Sequence, residues 1–486
     1  MEDKKNLLIL TVLSIVFLGY GLTESQGLVH RDSLSQFLEP GYKLAEGYGI
    51  TVWEYQVGYR PYLHSLGFAA VIKTLKTLGL YNPLILLQAL DFLTAAFLFG
   101  AVILTYFLGK KTFCGQAGFY AALFTLFSPL TLLYGTRFNI HPQVTVFLLA
   151  SYLLISSGSK KKIMAAGAFI GLAFCLRYTV ILLVPLFLFQ SLKLKKEKTV
   201  ILLLLFLFTT LLWGFVDLVG WGSLLHSLKT FITLGLFGGY SNVSRIEHPL
   251  YYVFFFAMHI PAVYTSTYVF WDKDKKILPA MFFLVYLISL SFVGHKEPRY
   301  LVDVYPFFML YAGRGLLLFT KSVNQRTLVV FPLIFFSIIL SILLPEAFIG
   351  WGSDSPMQAL TYAGGQEDVK ALAYTGLTLS EGFPSYFFFD RNTPQLLVGY
   401  GYVVFPKLNP NFSSKYSGLI ALNCSAGQVN LSDTEFQCLN PGKALNDSRI
   451  NYFIAPRKTD LTYPLEKHGF NVIKTFDGVN VYRRCK

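Results

Sequence analysis

Long apolar runs separated by short polar stretches fill residues 7–345, and Ile201–Trp213 and Leu328–Leu344 are two of them. Beyond residue 345 the runs become short and mixed. A helix of about 20 apolar residues spans a bilayer core. The pattern therefore predicts a polytopic α-helical membrane domain over 1–345 and a soluble domain over 346–486.

Lysines orient the runs. They cluster at Lys4-Lys5, Lys110-Lys111, Lys160 to Lys162, Lys193 to Lys198 and Lys273 to Lys276. Such clusters mark cytoplasmic loops. Starting inside, crossings are expected at 7–22, 83–108, 116–136 and 141–158. Two short helices bent near Arg177 follow within 163–192, and further crossings are expected at 199–220, 248–271, 277–294, 300–319 and 327–345. That makes about 11 transmembrane helices, with residues 346–486 outside. The 65–80 stretch carries Lys73 and Lys76 and reads as interfacial. The first run lacks a small-residue cleavage site and reads as a retained helix.

In the soluble domain, Tyr386–Phe389, Leu419–Leu422 and Tyr452–Ala455 read as strands, and a hairpin is expected around Asp477-Gly478. An α/β or α+β domain follows. Composition agrees with a membrane chain: 54% of residues are apolar and 14% charged, against about 25% charged in soluble domains. The net charge of +14 would suit nucleic acid, but its distribution does not. Residues 346–486 hold 13 Lys/Arg against 12 Asp/Glu, and the excess lies in the short clusters between apolar runs. Asn-x-Ser sequons at Asn242, Asn411, Asn423, Asn430 and Asn446 all fall on the predicted outer side. An oxidising compartment there would permit a Cys424–Cys438 disulfide, with Cys485 as a competing partner.

The outer side also collects the unusual polar residues: His30, Arg31 and Asp32 with Glu39; Trp53 and Glu54 with Arg60; Arg137 with His141; Asp217; His248; and His295 to Arg299 with Asp303. Charge desolvated near a bilayer is costly and tends to mark function. His295, Lys296 and Arg299 suit a lipid phosphate, which Arg grips bidentately and Lys meets as a point charge. An ordinary polar loop is the bland alternative. Transfer of a sugar from a phosphate carrier needs a carboxylate to take the acceptor's proton and cations to stabilise the leaving phosphate. Asp32 is the first candidate for the base, with Glu39 and Glu54 as rivals; the alternative is that Asp32 caps a loop helix or pairs with Arg31. Arg177 either reaches the donor phosphate or pairs with Asp91. Trp53, Tyr55, Tyr59 and Tyr62 either stack on sugars or anchor the loop at the interface. No spacing supports a metal site, and no nucleotide-binding loop or other cofactor motif is present.

These residues resemble a known family. His30-Arg-Asp-Ser-Leu-Ser-Gln-Phe-Leu-Glu-Pro40 resembles the first outer loop of the dolichyl-phosphate-mannose-dependent mannosyltransferases of N-glycan and GPI-anchor assembly, a GT22-like group. Thr51-Val-Trp-Glu-Tyr55 with Arg60 is similar to their Thr-Trp-Glu-Trp and Arg-Ser segment, and His295-Lys-Glu-Pro-Arg-Tyr300 to their His-Lys-Glu-x-Arg-Phe motif. Ser33, where the family usually has an acid, and the inserted Val52 are departures. The resemblance implies a GT-C membrane glycosyltransferase fold. It implies inverting transfer of a hexose, mannose first, from a polyprenyl or dolichyl phosphate to a glycan, lipid or protein acceptor. Asp32 would be the base, and His295, Lys296 and Arg299 would handle the phosphate. His30, Trp53, Arg60 and Arg137 are the remaining candidates for substrate binding. The setting would be a prokaryotic plasma membrane or the endoplasmic reticulum, with the site extracytosolic. A protein O-mannosyltransferase or a lipid-modifying sugar transferase on the same fold is an alternative. A lipid-linked sugar transporter or flippase is the non-enzyme rival, though such proteins usually show internal repeats, and none is visible.

Overall fold

The computed structural model describes residues 2–24, 27–50, 52–237, 247–272, 276–320, 323–348, 354–377, 385–398, 400–403, 420–423, 429–430, 437–439, 445–456 and 465–484. Two compact units emerge. The first comprises Met1–Ser25, Ala89–Phe215 and Arg245–Gly350; the second comprises Gln26–Gln88, Val216–Ser244 and Trp351–Lys486. The segments 26–88 and 216–244, which lie within the predicted membrane domain, thus group with the C-terminal residues.

The first unit is helical. By length and composition, Glu2–Glu24, Pro83–Thr112 and Lys196–Trp221 are each sufficient to cross a membrane. Along Lys196–Trp221, Val200, Leu204, Phe208, Leu211 and Phe215 are exposed at helical spacing, an apolar face suited to lipid. Two expected straight crossings are bent instead. Gly115–Leu126 and Pro129–Gly135 meet at 57°, and Pro249–Met258 and Ile260–Trp271 at 92°. Proline causes both breaks by removing a helix-interior N–H. Pro129 opens its helix behind Ser128, whose hydroxyl accepts from Leu130 N–H. Pro261 stands at the second position of its helix, after His259. The bends are joined: the Ser128 hydroxyl lies 2.6 Å from His259 Nε2, and His259 Nδ1 lies 2.7 Å from the Phe255 carbonyl. The described chain holds three helices able to span, or five if each bent pair counts once. His141–Ile155, Tyr178–Leu192 and Ile277–Ser291 are shorter apolar helices. The break expected near Arg177 is present, between Lys160–Leu176 and Tyr178–Leu192. Small residues let these helices approach closely, as in other membrane bundles. A methyl added to Gly118 would meet the Tyr106 carbonyl at 2.3 Å.

The second unit combines loop helices with a mixed sheet. Arg31–Ser33, a π-helical stretch Leu34–Leu38 and Glu39–Glu46 run on without a break, and Trp53–Gln56 and Tyr62–Thr77 follow. The sheet strands are β1 (Leu372–Tyr374), β2 (Gln395–Val398), β3 (Tyr400–Val403), β4 (Ile420–Asn423), β5 (Val429–Asn430), β6 (Gln437–Leu439), β7 (Tyr452–Pro456), β8 (Phe470–Phe476) and β9 (Val479–Arg484). The larger sheet has the order β5-β6-β2-β1-β7-β9-β8, and β3 pairs with β4 separately. β1 runs parallel to β2 and β7, and β2 parallel to β6, an α/β core with antiparallel margins. Ala373, Leu396, Phe453 and Phe470 share its buried core. The β8–β9 hairpin turns through Asp477-Gly478, with Gly478 at φ 78°, a conformation glycine adopts without strain.

Tyr386–Phe389, expected as a strand, is a helical turn. Four consecutive aromatics carry no periodicity to distinguish the two, and side chains decide it. The Ser385 hydroxyl accepts from Phe388 N–H, and Glu39 takes the N–H groups of Tyr386 and Phe387. The expected Cys424–Cys438 disulfide lies outside the described residues at Cys424, as does Cys485.

Candidate functional site

In the first unit a buried charge network stands behind the His295–Arg299 loop. Asp303 ends the short 3₁₀ helix Pro298–Asp303 and is fully buried. It accepts from Tyr286 OH at 2.7 Å and pairs with Arg177 Nε at 3.0 Å and His141 Nδ1 at 2.8 Å. Arg177 also approaches His141 Nε2, at 3.1 Å. A guanidinium only donates, so Nε2 must accept and Nδ1 carry the proton. His141 is then neutral and donates to Asp303, leaving one carboxylate against one guanidinium. Arg177 can take this place because the Lys160–Leu176 helix stops at it with extended backbone. Its partner is thus Asp303, not Asp91. Asp91 instead accepts from Phe138 N–H at 2.6 Å, in the loop that carries the buried Arg137.

Tyr300 gathers two cations. The Arg177 guanidinium lies 4.5 Å from its ring centre and that of Arg299 5.6 Å. Arg299 Nε also binds Glu297, whose other oxygen lies 3.0 Å from His295 Nε2. Lys296 turns inward and donates to the carbonyls of Glu247 at 2.9 Å and Val293 at 2.5 Å. Burial lowers its pKa, with Glu247 opposing. All four cation-bearing candidates of this loop and helix break, His295, Lys296, Arg299 and Arg177, therefore lie in one unit. Three of them meet Glu297 or Tyr300 directly.

In the second unit Asp32 is partly exposed and lies 3.3 Å from His30 Nδ1. Glu54 is buried; one of its oxygens receives Arg60 Nε at 2.9 Å, Arg60 Nη2 at 2.6 Å and Gln36 at 3.2 Å. Burial disfavours the Arg60 charge, but Glu54, Tyr59 and Asp32 outweigh it and hold the guanidinium pKa above its ordinary value. Trp53 lies in the Trp53–Gln56 turn beside Glu54. Tyr55 and Tyr59 are buried, the former donating to the Gln36 carbonyl at 2.9 Å. That places both rings in the packing of the loop. Asp217 is also a packing residue, accepting from Tyr62 N–H at 3.0 Å and Ser227 N–H at 2.9 Å.

Glu39 differs from the other two carboxylates. It is 2% exposed, and both of its oxygens accept from the protein. Burial raises its pKa, while hydrogen bonds from Tyr386, Phe387 and Ser385 pull the other way. In the sequence Asp303 and His141 stand only as members of polar clusters, Tyr300 only as the last residue of a motif, and Tyr286 within an apolar run. The available signal was the place of Asp303 just beyond the charged His295–Arg299 run. Among the described residues no cluster has the makings of a metal site.

Residues 8–352 match the model of the Alg9-like mannosyltransferase family. GPI mannosyltransferase 3 of Yarrowia lipolytica is 24% identical over 305 residues, covering 60% of this chain and 59% of that protein. GPI alpha-1,2-mannosyltransferase 3 of Bos taurus is 27% identical over 301 residues, covering 59% and 54%. The chain thus spans under two thirds of the length of these curated relatives. Among solved structures, ArnT from Cupriavidus metallidurans bound to undecaprenyl phosphate superposes with a TM-score of 0.65 at 12% identity, over 98% of this chain and 97% of that one. The Archaeoglobus fulgidus oligosaccharyltransferase tethered to an acceptor peptide gives 0.52 at 12% identity, over 93% and 69%. At these identities the likeness is one of fold, that of GT-C membrane glycosyltransferases.

Proposed function

The chain belongs to the Alg9-like mannosyltransferase family, and on that premise we propose that it transfers a hexose, mannose first, from a polyprenyl or dolichyl phosphate to a hydroxyl acceptor. The observation that carries this reading is the pair of guanidiniums, Arg177 and Arg299, drawn to one tyrosine ring and backed by a buried carboxylate. Such a pair holds a phosphate that gains charge as its sugar leaves.

The acceptor oxygen attacks the anomeric carbon as the carbon–phosphate-oxygen bond breaks. The electron pair leaves with the lipid phosphate, and the acceptor proton passes to Asp32. One displacement inverts the anomeric centre. His295 and Lys296 support the phosphate with Arg299 and Arg177. Glu54 and Arg60, with His30 and Trp53, shape the sugar and acceptor side, and Arg137 is a further substrate contact. Transfer takes place on the extracytosolic face of a multi-pass protein of about 11 crossings, with the 346–486 domain outside.

The relatives bear on the acceptor class. The curated relatives are GPI mannosyltransferases, which favours a glycolipid glycan. The test gives the purified full chain radiolabelled polyprenyl-phosphate mannose and a native lipid extract. Label moving to a new glycolipid with inverted anomeric configuration is the expected result. Donor that binds and is never consumed would instead favour a carrier, and no binding at all would end the reading.

A further inference from the structure

We propose that Glu39 is a positioning residue whose carboxylate clamps the Asp32-bearing segment to the Ser385–Phe387 turn of the C-terminal sheet region; the part played by Asp32 rests on the transfer reading above. A proton acceptor must offer a lone pair to the incoming hydroxyl. A carboxylate has about four acceptor positions, and at Glu39 four protein donors occupy them. Oε1 accepts from Tyr386 N–H at 2.9 Å and Ile50 N–H at 3.4 Å. Oε2 accepts from Phe387 N–H at 3.1 Å and from the Ser385 hydroxyl at 2.9 Å. Nothing of this carboxylate remains for chemistry, and its burial keeps a substrate hydroxyl away.

The turn it grips is itself tied to the sheet. Gln395, the first residue of β2, accepts from Ser385 N–H at 3.2 Å and donates to the Ser385 carbonyl at 3.0 Å. Phe387, Phe388 and Phe389 are fully buried. A second set of contacts fixes the far end of the turn. Tyr42 OH donates to Asp390 at 2.6 Å, and the Lys76 ammonium pairs with Asp390 and, at 3.1 Å, with Glu46. That ammonium also lies 4.8 Å from the Tyr42 ring centre and 5.0 Å from that of Tyr81. Tyr81 OH donates to the Phe387 carbonyl at 2.8 Å.

From Asp32 to Glu39 the backbone is helical throughout, with the π-helical stretch Leu34–Leu38 between them. A helical rod transmits displacement of one end to the other. Holding Glu39 therefore fixes the place of Asp32, and a misplacement of about 1 Å at a reacting group can cost on the order of 10²-fold in rate.

The experiment uses the full chain in lipid nanodiscs, with Glu39→Gln and the milder Ser385→Ala. A glutamine turns its NH₂ toward donors that an oxygen accepted, while the alanine removes one of the four donors. Hydrogen exchange at residues 31–38 should quicken in both variants. The donor dissociation constant should stay within about twofold as kcat falls by roughly 10–100-fold. The acidic limb of the rate profile should persist, because the proton acceptor is still present. Unchanged exchange over 31–38 in both folded variants overturns the clamp. So does a Glu39→Gln enzyme that loses the acidic limb, because Glu39 would then be the base. If the parent chain moves no sugar, the transfer reading falls, and the exchange measurement alone still decides whether Glu39 holds this segment.

Discussion

Asp303 has zero exposure, and a guanidinium, a tyrosine hydroxyl and a histidine N–H all point at it. Removing one partner of a buried ion pair typically costs 3–5 kcal/mol, since the other charge is left uncompensated. Asp303→Ala should lose about that much in denaturant unfolding, and Arg177→Met in the same chain should restore part of it. On the proposed phosphate-binding role, Arg299→Ala removes a charge-assisted contact worth about 1.5–3 kcal/mol. The donor dissociation constant should rise roughly tenfold or more by equilibrium binding, and unchanged binding would make the loop structural. Asp32→Asn should bind donor normally and transfer about 10²–10⁴ times more slowly. Transfer at the parent rate in single-turnover assays, with Glu54→Gln inactive, would move the base to Glu54. At this scale the sequence exposed the charged residues but not their pairings. Arg177 and Asp91 both interrupt apolar runs, and nothing in their spacing separates that pair from Arg177 with Asp303.

Helix positions were legible as apolar runs, but their continuity was not. The run 116–136 contains Pro129 and the run 248–271 contains Pro261, and each is a bent pair. Hydropathy averages across a proline, whereas a hydrogen-bonded helix cannot. Close approach was equally hidden. Gly315 lies in Tyr305–Phe319, and a methyl there would meet the Thr265 carbonyl at 1.8 Å. Backbone cannot yield as a side-chain tip does, and overpacking typically costs about 1–3 kcal/mol. Gly315→Ala should therefore lower the thermal midpoint clearly in a detergent unfolding scan. By contrast, Gly67→Ala, where nothing lies within 4 Å of the added methyl, should leave it near that of the parent. A parent-like midpoint for Gly315→Ala would show that the two helices are free to separate.

For the whole molecule, the lysine clusters and sequons lead us to propose a cytoplasmic N-terminus and an extracytosolic C-terminal region. Lys474, on the exposed part of β8, offers a site for labelling. In a chain freed of its native cysteines, Lys474→Cys should react with an impermeant maleimide from the extracytosolic side of sealed vesicles. Reaction from the cytoplasmic side alone would invert the topology and with it the proposed site. By itself the sequence determined that this is a helical membrane protein with a C-terminal region of α/β or α+β type, and its motifs pointed to the family. Those properties follow from local hydropathy, turn residues and short spacings, which each segment carries alone. Tertiary structure alone decided that segments 26–88 and 216–244 group with the C-terminal residues, that Asp303 answers Arg177, and that Glu39 caps a turn some 350 residues away. Each depends on where a carboxylate finds donors after the chain has packed. A buried charge selects its partner by distance in space, on which sequence separation has no bearing.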